Sequence, residues 1–146
     1  MLKENANIPR FVSIVAIVLG CLDLIRGFMH TILLEYAASN IAGLDLTSSE
    51  AIDLLRLMGS FGISNYITGM MLILLGWKAR SLALAMLGII PAAYLVGAVG
   101  IKINSAANAP TGGNWGGIPM MMVYMGVCIV TFIAGMIRMK MREKKN

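Results

Sequence analysis

The sequence predicts an all-α integral membrane protein: an antiparallel bundle of four transmembrane helices, both termini cytoplasmic, with a long helix 1–helix 2 hairpin projecting on the outer side. Three observations carry that expectation. The chain of 146 residues is 58% hydrophobic and only 13% charged, with a mean hydropathy of +0.80, against about 45–50% apolar and about 25% charged in soluble domains. Four apolar runs, 11–34, 57–77, 81–101 and 118–137, reach the roughly 20 residues a spanning helix needs. Lys3, Arg10, Lys78, Arg80, Arg138, Lys140, Arg142, Lys144 and Lys145 all fall on one side of such a layout, which the positive-inside rule makes cytoplasmic. The opposite side carries Glu35, Asp45, Glu50 and Asp53 against Arg56 and Lys102. The four spans and their short connections use the whole of 1–146, so a single transmembrane domain in the plasma membrane is expected, ending in a basic tail, 138–146.

Pro9 suits the first turn of helix 1, and Gly43 is the next strong stop, so this helix is expected over about 9–42. At 1.5 Å per residue it would be about 50 Å long, against a hydrocarbon core of about 30 Å, and its far end must tilt or protrude. The segment "VLGC" ahead of Cys21 has some likeness to a lipoprotein cleavage box. The apolar run continues well past Cys21, unlike a signal peptide's, so the first helix is expected to stay uncleaved. Helix 2 is expected to open at "TSSE", with Thr47 capping and Glu50 reaching back to it. Trp77, Lys78 and Arg80 read as an interfacial anchor at a tight turn into helix 3, which carries Pro91 near its middle. A Gly- and Asn-rich loop ending near Trp115 follows, and Pro119 starts helix 4. Small residues recur where helices should touch: Gly62, Gly69 and Gly76 at heptad spacing in helix 2, then Gly88 with Ala92 and Ala93 with Gly97 in helix 3.

The unusual stretch is "CLDLIRGFMH", which puts Asp23, Arg26 and His30 inside an apolar run. Their i, i+3, i+7 spacing aligns them on one side of the helix, and each charge near the bilayer centre costs about 2.5–3.5 kcal/mol unless it faces protein or water. The stripe is therefore expected to turn inward, with Asp23 and Arg26 neutralising each other. Counted from the anchors, Asn65 reaches the level of Asp23 while Tyr94 and Tyr124 lie in the outer half, so Asp23, Arg26, His30, Asn65, Tyr94 and Tyr124 form a candidate polar pocket. The plainest reading is an internal salt bridge that fixes helix register; the sharper one is a site for a ligand, ion or proton.

Met29, Met58, Met120, Met121, Met122 and Met125 gather at the depth of His30, and thioethers favour Cu(I). Methionine also fills irregular helix contacts, and the chain holds 13 of them, so packing is the expectation and no metal is assigned. Cys21 and Cys128 lie at similar depth without any ligand spacing and read as small buried hydrophobes. No cofactor is expected: there is no phosphate-cradling glycine loop, no nucleophile paired with the single histidine, and no metal-ligand pattern. Basic residues flank spans without aromatic interleaving, which argues for lipid headgroups and against nucleic acid as their partner. In helix count the chain resembles small multidrug transporters, membrane thiol oxidoreductases and DoxX-like proteins. The lone helix 1 glutamate of the first and the CxxC of the second are absent, so no family is assigned. The leading expectation is a non-catalytic accessory protein that packs with itself or with a larger membrane complex. The alternative is a carrier or receptor for a small ligand, cation or proton that uses the helix 1 pocket.

Overall fold

A computed structural model describes residues 8–105 and 117–144 of the chain. Among the described residues all regular structure is helical: α1 (Arg10–Thr31), α2 (Leu34–Tyr36), one π-helical turn (Ala37–Ile41), α3 (Ala51–Lys78), α4 (Arg80–Ser105) and α5 (Ile118–Glu143). The four long helices are each long and apolar enough to cross a membrane. The glycine-rich loop with Trp115, the N-terminal Lys3 and the terminal Lys145 lie outside the described residues.

The first helix is shorter than its apolar pattern implied. It stops at Thr31, where the Leu33 amide donates to the Phe28 carbonyl five residues back and Leu33 turns to φ −102° and ψ 34°. The chain then resumes as α2 and the π turn, so the expected continuous helix to residue 42 is a broken one. The stop at Gly43 does occur, with φ 70°, a conformation that favours glycine. The Ala42 amide donates to Ala37 O and the Leu44 amide to Ala38 O, a glycine cap widened by the π turn before it.

The reciprocal cap expected at "TSSE" does not form either. Asp45 competes successfully for Thr47: its Oδ1 accepts from the Thr47 amide at 2.9 Å and from the Thr47 hydroxyl at 2.7 Å. Glu50 instead accepts from Ser49 at 2.7 Å, and α3 begins at Ala51. An aspartate two residues ahead of an amide makes such a local turn readily, which outweighs a cap spanning three residues. At the other end of α3 the expected tight turn is a single residue, Ala79, before Arg80 opens α4. Lys78 sits 4.1 Å above the Trp77 ring, a cation–π pairing at the position of the expected anchor. Pro91 lies inside α4, Pro119 in the first turn of α5, and α5 continues helically through residues 138–143, which the sequence left as tail.

α1 and α3 approach closely because small residues line both. A Cβ on Gly69 would fall 2.7 Å from the Gly20 carbonyl oxygen, and one on Gly20 would fall 2.7 Å from that of Gly69. Gly76 meets Ser13 and Ile17, Gly27 meets Tyr66, and Gly62 meets His30 and Thr31, so positions rise along α1 as they fall along α3. The heptad of α3 glycines is thus the contact face the sequence proposed; Gly20 and Gly27, which complete it from α1, escaped notice. Between helices that span a membrane, small side chains matter because lipid supplies no hydrophobic drive and contact must come from close packing.

The buried core lies toward the basic end of the helices. Val12, Ala16 and Leu19 of α1, Leu72 of α3, Ala83, Leu84, Leu87 and Ile90 of α4 and Cys128 of α5 form it, with Tyr124 at its edge. Gly88 abuts Phe132 and Gly135 abuts Leu84. Toward its far end α4 leaves its neighbours: Val96 is exposed, and among the described residues nothing lies within 4 Å of a Cβ on Gly97 or Gly100. The Ala93/Gly97 pair of small residues therefore does not serve the contact expected of it.

Candidate intramembrane polar site

The buried stripe of α1 runs Val12, Ala16, Leu19, Gly20, Asp23 and Gly27, the repeat of a single helix face. Asp23 is on that stripe between the two glycines where α3 comes closest, which is why a carboxyl in an apolar helix ends up only 2% exposed. Its two oxygens have separate partners. Tyr124 of α5 donates to Oδ2 at 2.8 Å, and Arg26 Nη1 donates to Oδ1 at 3.4 Å. The second distance is longer than the 2.7–2.9 Å or so of a strong charge-assisted bond, so Tyr124 is the firmer tether. Arg26 also stands over the Tyr124 ring, 5.8 Å from its centroid, and its side chain is 23% exposed.

These groups line a cavity of about 270 Å³ to which all four long helices contribute. Its polar wall is Asp23 and Arg26 from α1, Asn65 and Thr68 from α3, Tyr94 from α4 and Tyr124 from α5. Met86, Ile89, Ile90 and Ala93 of α4 supply the apolar wall. Five of the six residues proposed from sequence thus meet at one cavity. The sixth, His30, is off the wall but joined to it: Asn65 Nδ2 lies 3.3 Å from His30 Nδ1, and since an amide nitrogen only donates, Nδ1 accepts. One further bond ties the same two helices, between the Thr31 and Tyr66 hydroxyls at 3.0 Å.

Thr68 and the α4 wall were not anticipated, although signals for both exist. Thr68 follows Asn65 by three residues and so shares its face. Met86, Ile89, Ile90, Ala93 and Tyr94 are spaced i, i+3, i+4, i+7, i+8, so Tyr94 implied the rest of that face.

The methionines of that group differ in burial. Met120 and Met122 are 66% and 64% exposed and Met125 packs against the core, while Met29, Met58 and Met121 are half-buried. Among the described residues no three His, Cys, Asp or Glu side chains gather where they could hold a metal ion. Both cysteines are free: Cys128 is buried as expected, but Cys21 is exposed on the outside of α1, which corrects its reading as a buried hydrophobe.

No protein-family model, curated protein or solved structure matches the chain.

Proposed function

We propose that this is a non-enzymatic, multi-pass membrane protein that binds a small ligand from the lipid phase in the cavity beside Arg26, as a receptor or carrier. In the orientation proposed, the four long helices form an antiparallel bundle in the plasma membrane, both termini are cytoplasmic, and the segment between α1 and α3 projects outside. The charge distribution supports that orientation.

The observation that carries the binding reading is the state of Arg26. A guanidinium has five N–H donors, yet among the described residues Arg26 makes one hydrogen bond, a long one, while facing a cavity. A salt bridge that only fixed helix register would need neither the cavity nor contributions from α3 and α4. Intramembrane ionisable groups that line a cavity mark ligand or ion paths.

Native mass spectrometry of the protein released from its own membranes in mild detergent tests this. A bound small-molecule mass on the wild type, lost in Asp23→Asn while helicity by circular dichroism is retained, is the expected result. Unliganded wild type, with Asp23→Asn losing fold or assembly instead, would refute it.

A second reading is an accessory protein that packs with itself or with a larger membrane complex. It is favoured by the far end of α4, where, among the described residues, a Cβ on Gly97 or Gly100 would meet nothing within 4 Å. A stoichiometric protein partner in the same native spectrum would support it.

A further inference from the structure

We infer that the ligand of this cavity is an electrically neutral lipophile whose carbonyl oxygen, that of a ketone, amide or quinone, docks on Arg26. The inference rests on the binding reading above and narrows it to a chemical class.

Charge balance is the first argument. Asp23 and Arg26 are the acidic and basic groups on the cavity wall, and they stand 3.4 Å apart, each paired with the other. A cationic ligand would meet the guanidinium, and an anionic one the carboxylate beside it. Either would leave a net charge among apolar helices, a penalty that a neutral ligand avoids.

Hydrogen-bonding capacity is the second. Both Asp23 oxygens are occupied, and the Tyr124 hydroxyl is spent on one of them. The Asn65 amide nitrogen is engaged with His30, and the Thr68 hydroxyl donates to Ser64 O. Among the described residues Arg26 holds most of the donors left on the wall, beside the second Asn65 N–H and the Tyr94 hydroxyl, so the complementary ligand group is an acceptor. A planar carbonyl suits a planar guanidinium, which offers two parallel N–H vectors.

Access and size are the third. Met86, Ile89, Ile90 and Ala93 make one flank apolar, and the exposed α4 residues beyond it open that flank toward acyl chains. The volume of about 270 Å³ falls just below the 300–1,000 Å³ or so of small-molecule sites. It accommodates a polar head while an aliphatic remainder extends along α4.

The test uses the full chain in lipid nanodiscs, photolysed with a dodecyl benzophenone, a neutral ketone that reports its own position, followed by peptide mapping. Labelling is expected on the α4 peptide containing Met86 and Ala93. Arg26→Gln removes the anchor and should cut labelling about tenfold, the scale of one hydrogen bond to a charged group, and Ala93→Trp, which changes an exposed position but fills the cavity, should cut it at least as far by exclusion. Excess methyl nonyl ketone should compete, whereas undecanoate and decyltrimethylammonium should not. Competition by either charged amphiphile equal to that of the ketone overturns the neutral class and leaves the cavity standing. Full labelling in Arg26→Gln with loss in Ala93→Trp overturns the docking on Arg26. Labelling indifferent to Ala93→Trp and to every competitor overturns the binding reading itself.

Discussion

Tyr124→Phe removes one oxygen from a side chain that is 7% exposed and keeps the ring that packs at the edge of the core. What disappears is the 2.8 Å bond to Asp23 Oδ2. The remaining partner, Arg26 at 3.4 Å, lies beyond the usual 2.7–3.2 Å or so, so the carboxyl loses its one short bond among the described residues. Hydrogen bonds to charged groups contribute about 1.5–3 kcal/mol in soluble proteins, whereas intramembrane bonds average about 0.6 and reach about 1.7 kcal/mol. A carboxyl this deeply buried belongs at the upper end of the membrane range, so the expected loss is about 1.5 kcal/mol, roughly tenfold in the unfolding equilibrium. Reversible unfolding by dodecyl sulfate in mixed micelles, followed by circular dichroism, measures it. A cycle with Asp23→Asn separates the bond from side effects: the double variant should lose about 1 kcal/mol less than the two single losses combined. Strict additivity, or a Tyr124→Phe loss below about 0.3 kcal/mol, would show that Asp23 is not held by α5 and would refute the reasoning.

The contact between α1 and α3 predicts that Gly69→Leu, whose Cβ alone would meet the Gly20 carbonyl at 2.7 Å, costs about 1–3 kcal/mol as the backbones are forced apart. Gly97→Leu, with nothing within 4 Å of its Cβ among the described residues, should stay within about 0.5 kcal/mol of wild type in the same titration. The turn before α3 is pH-sensitive in a defined direction. The Thr47 hydroxyl, and then its amide, hold the Asp45 carboxyl below its ordinary 3.8, so the turn is supported above that value and released as pH falls through the lowered one. The Thr47 amide proton shift should follow that titration by NMR, and Asp45→Ala should abolish it at every pH; an amide shift that ignores both would contradict the turn. For the orientation, Ser49→Cys in a background lacking Cys21 and Cys128 should react with an impermeant maleimide on intact cells, and Lys140→Cys only after permeabilisation. The reverse pattern would invert the topology.

Composition and spacing alone made much of this molecule legible. The four long apolar helices followed from apolar length, the α3 contact face from the heptad of Gly62, Gly69 and Gly76, and most of the polar site from depth counted along each helix. Depth counting works because a helix has a fixed rise and a lipid-embedded charge has few places to go. Failures came where two local options were close in energy. At Thr47 the cap and the aspartate turn compete for the same hydroxyl, and the nearer partner prevailed. At Ile32 and Leu33 nothing in the apolar pattern marks a break, because leucine and isoleucine ordinarily continue a helix. The His30 link to Asn65 was out of reach for another reason: depth gives height along a helix, but side-chain reach decides which of two neighbours at similar height is touched.

The account depends on the Asp23 carboxyl reaching across the helices to Tyr124 rather than toward acyl chains. Magic-angle-spinning NMR on the protein in lipid bilayers, with aspartate and tyrosine labelled in carbon-13, tests that directly. A correlation between Asp23 Cγ and Tyr124 Cζ, with no polarisation transfer to Asp23 from lipid acyl protons, is the result expected. Transfer from the acyl chains with no tyrosine correlation would contradict it.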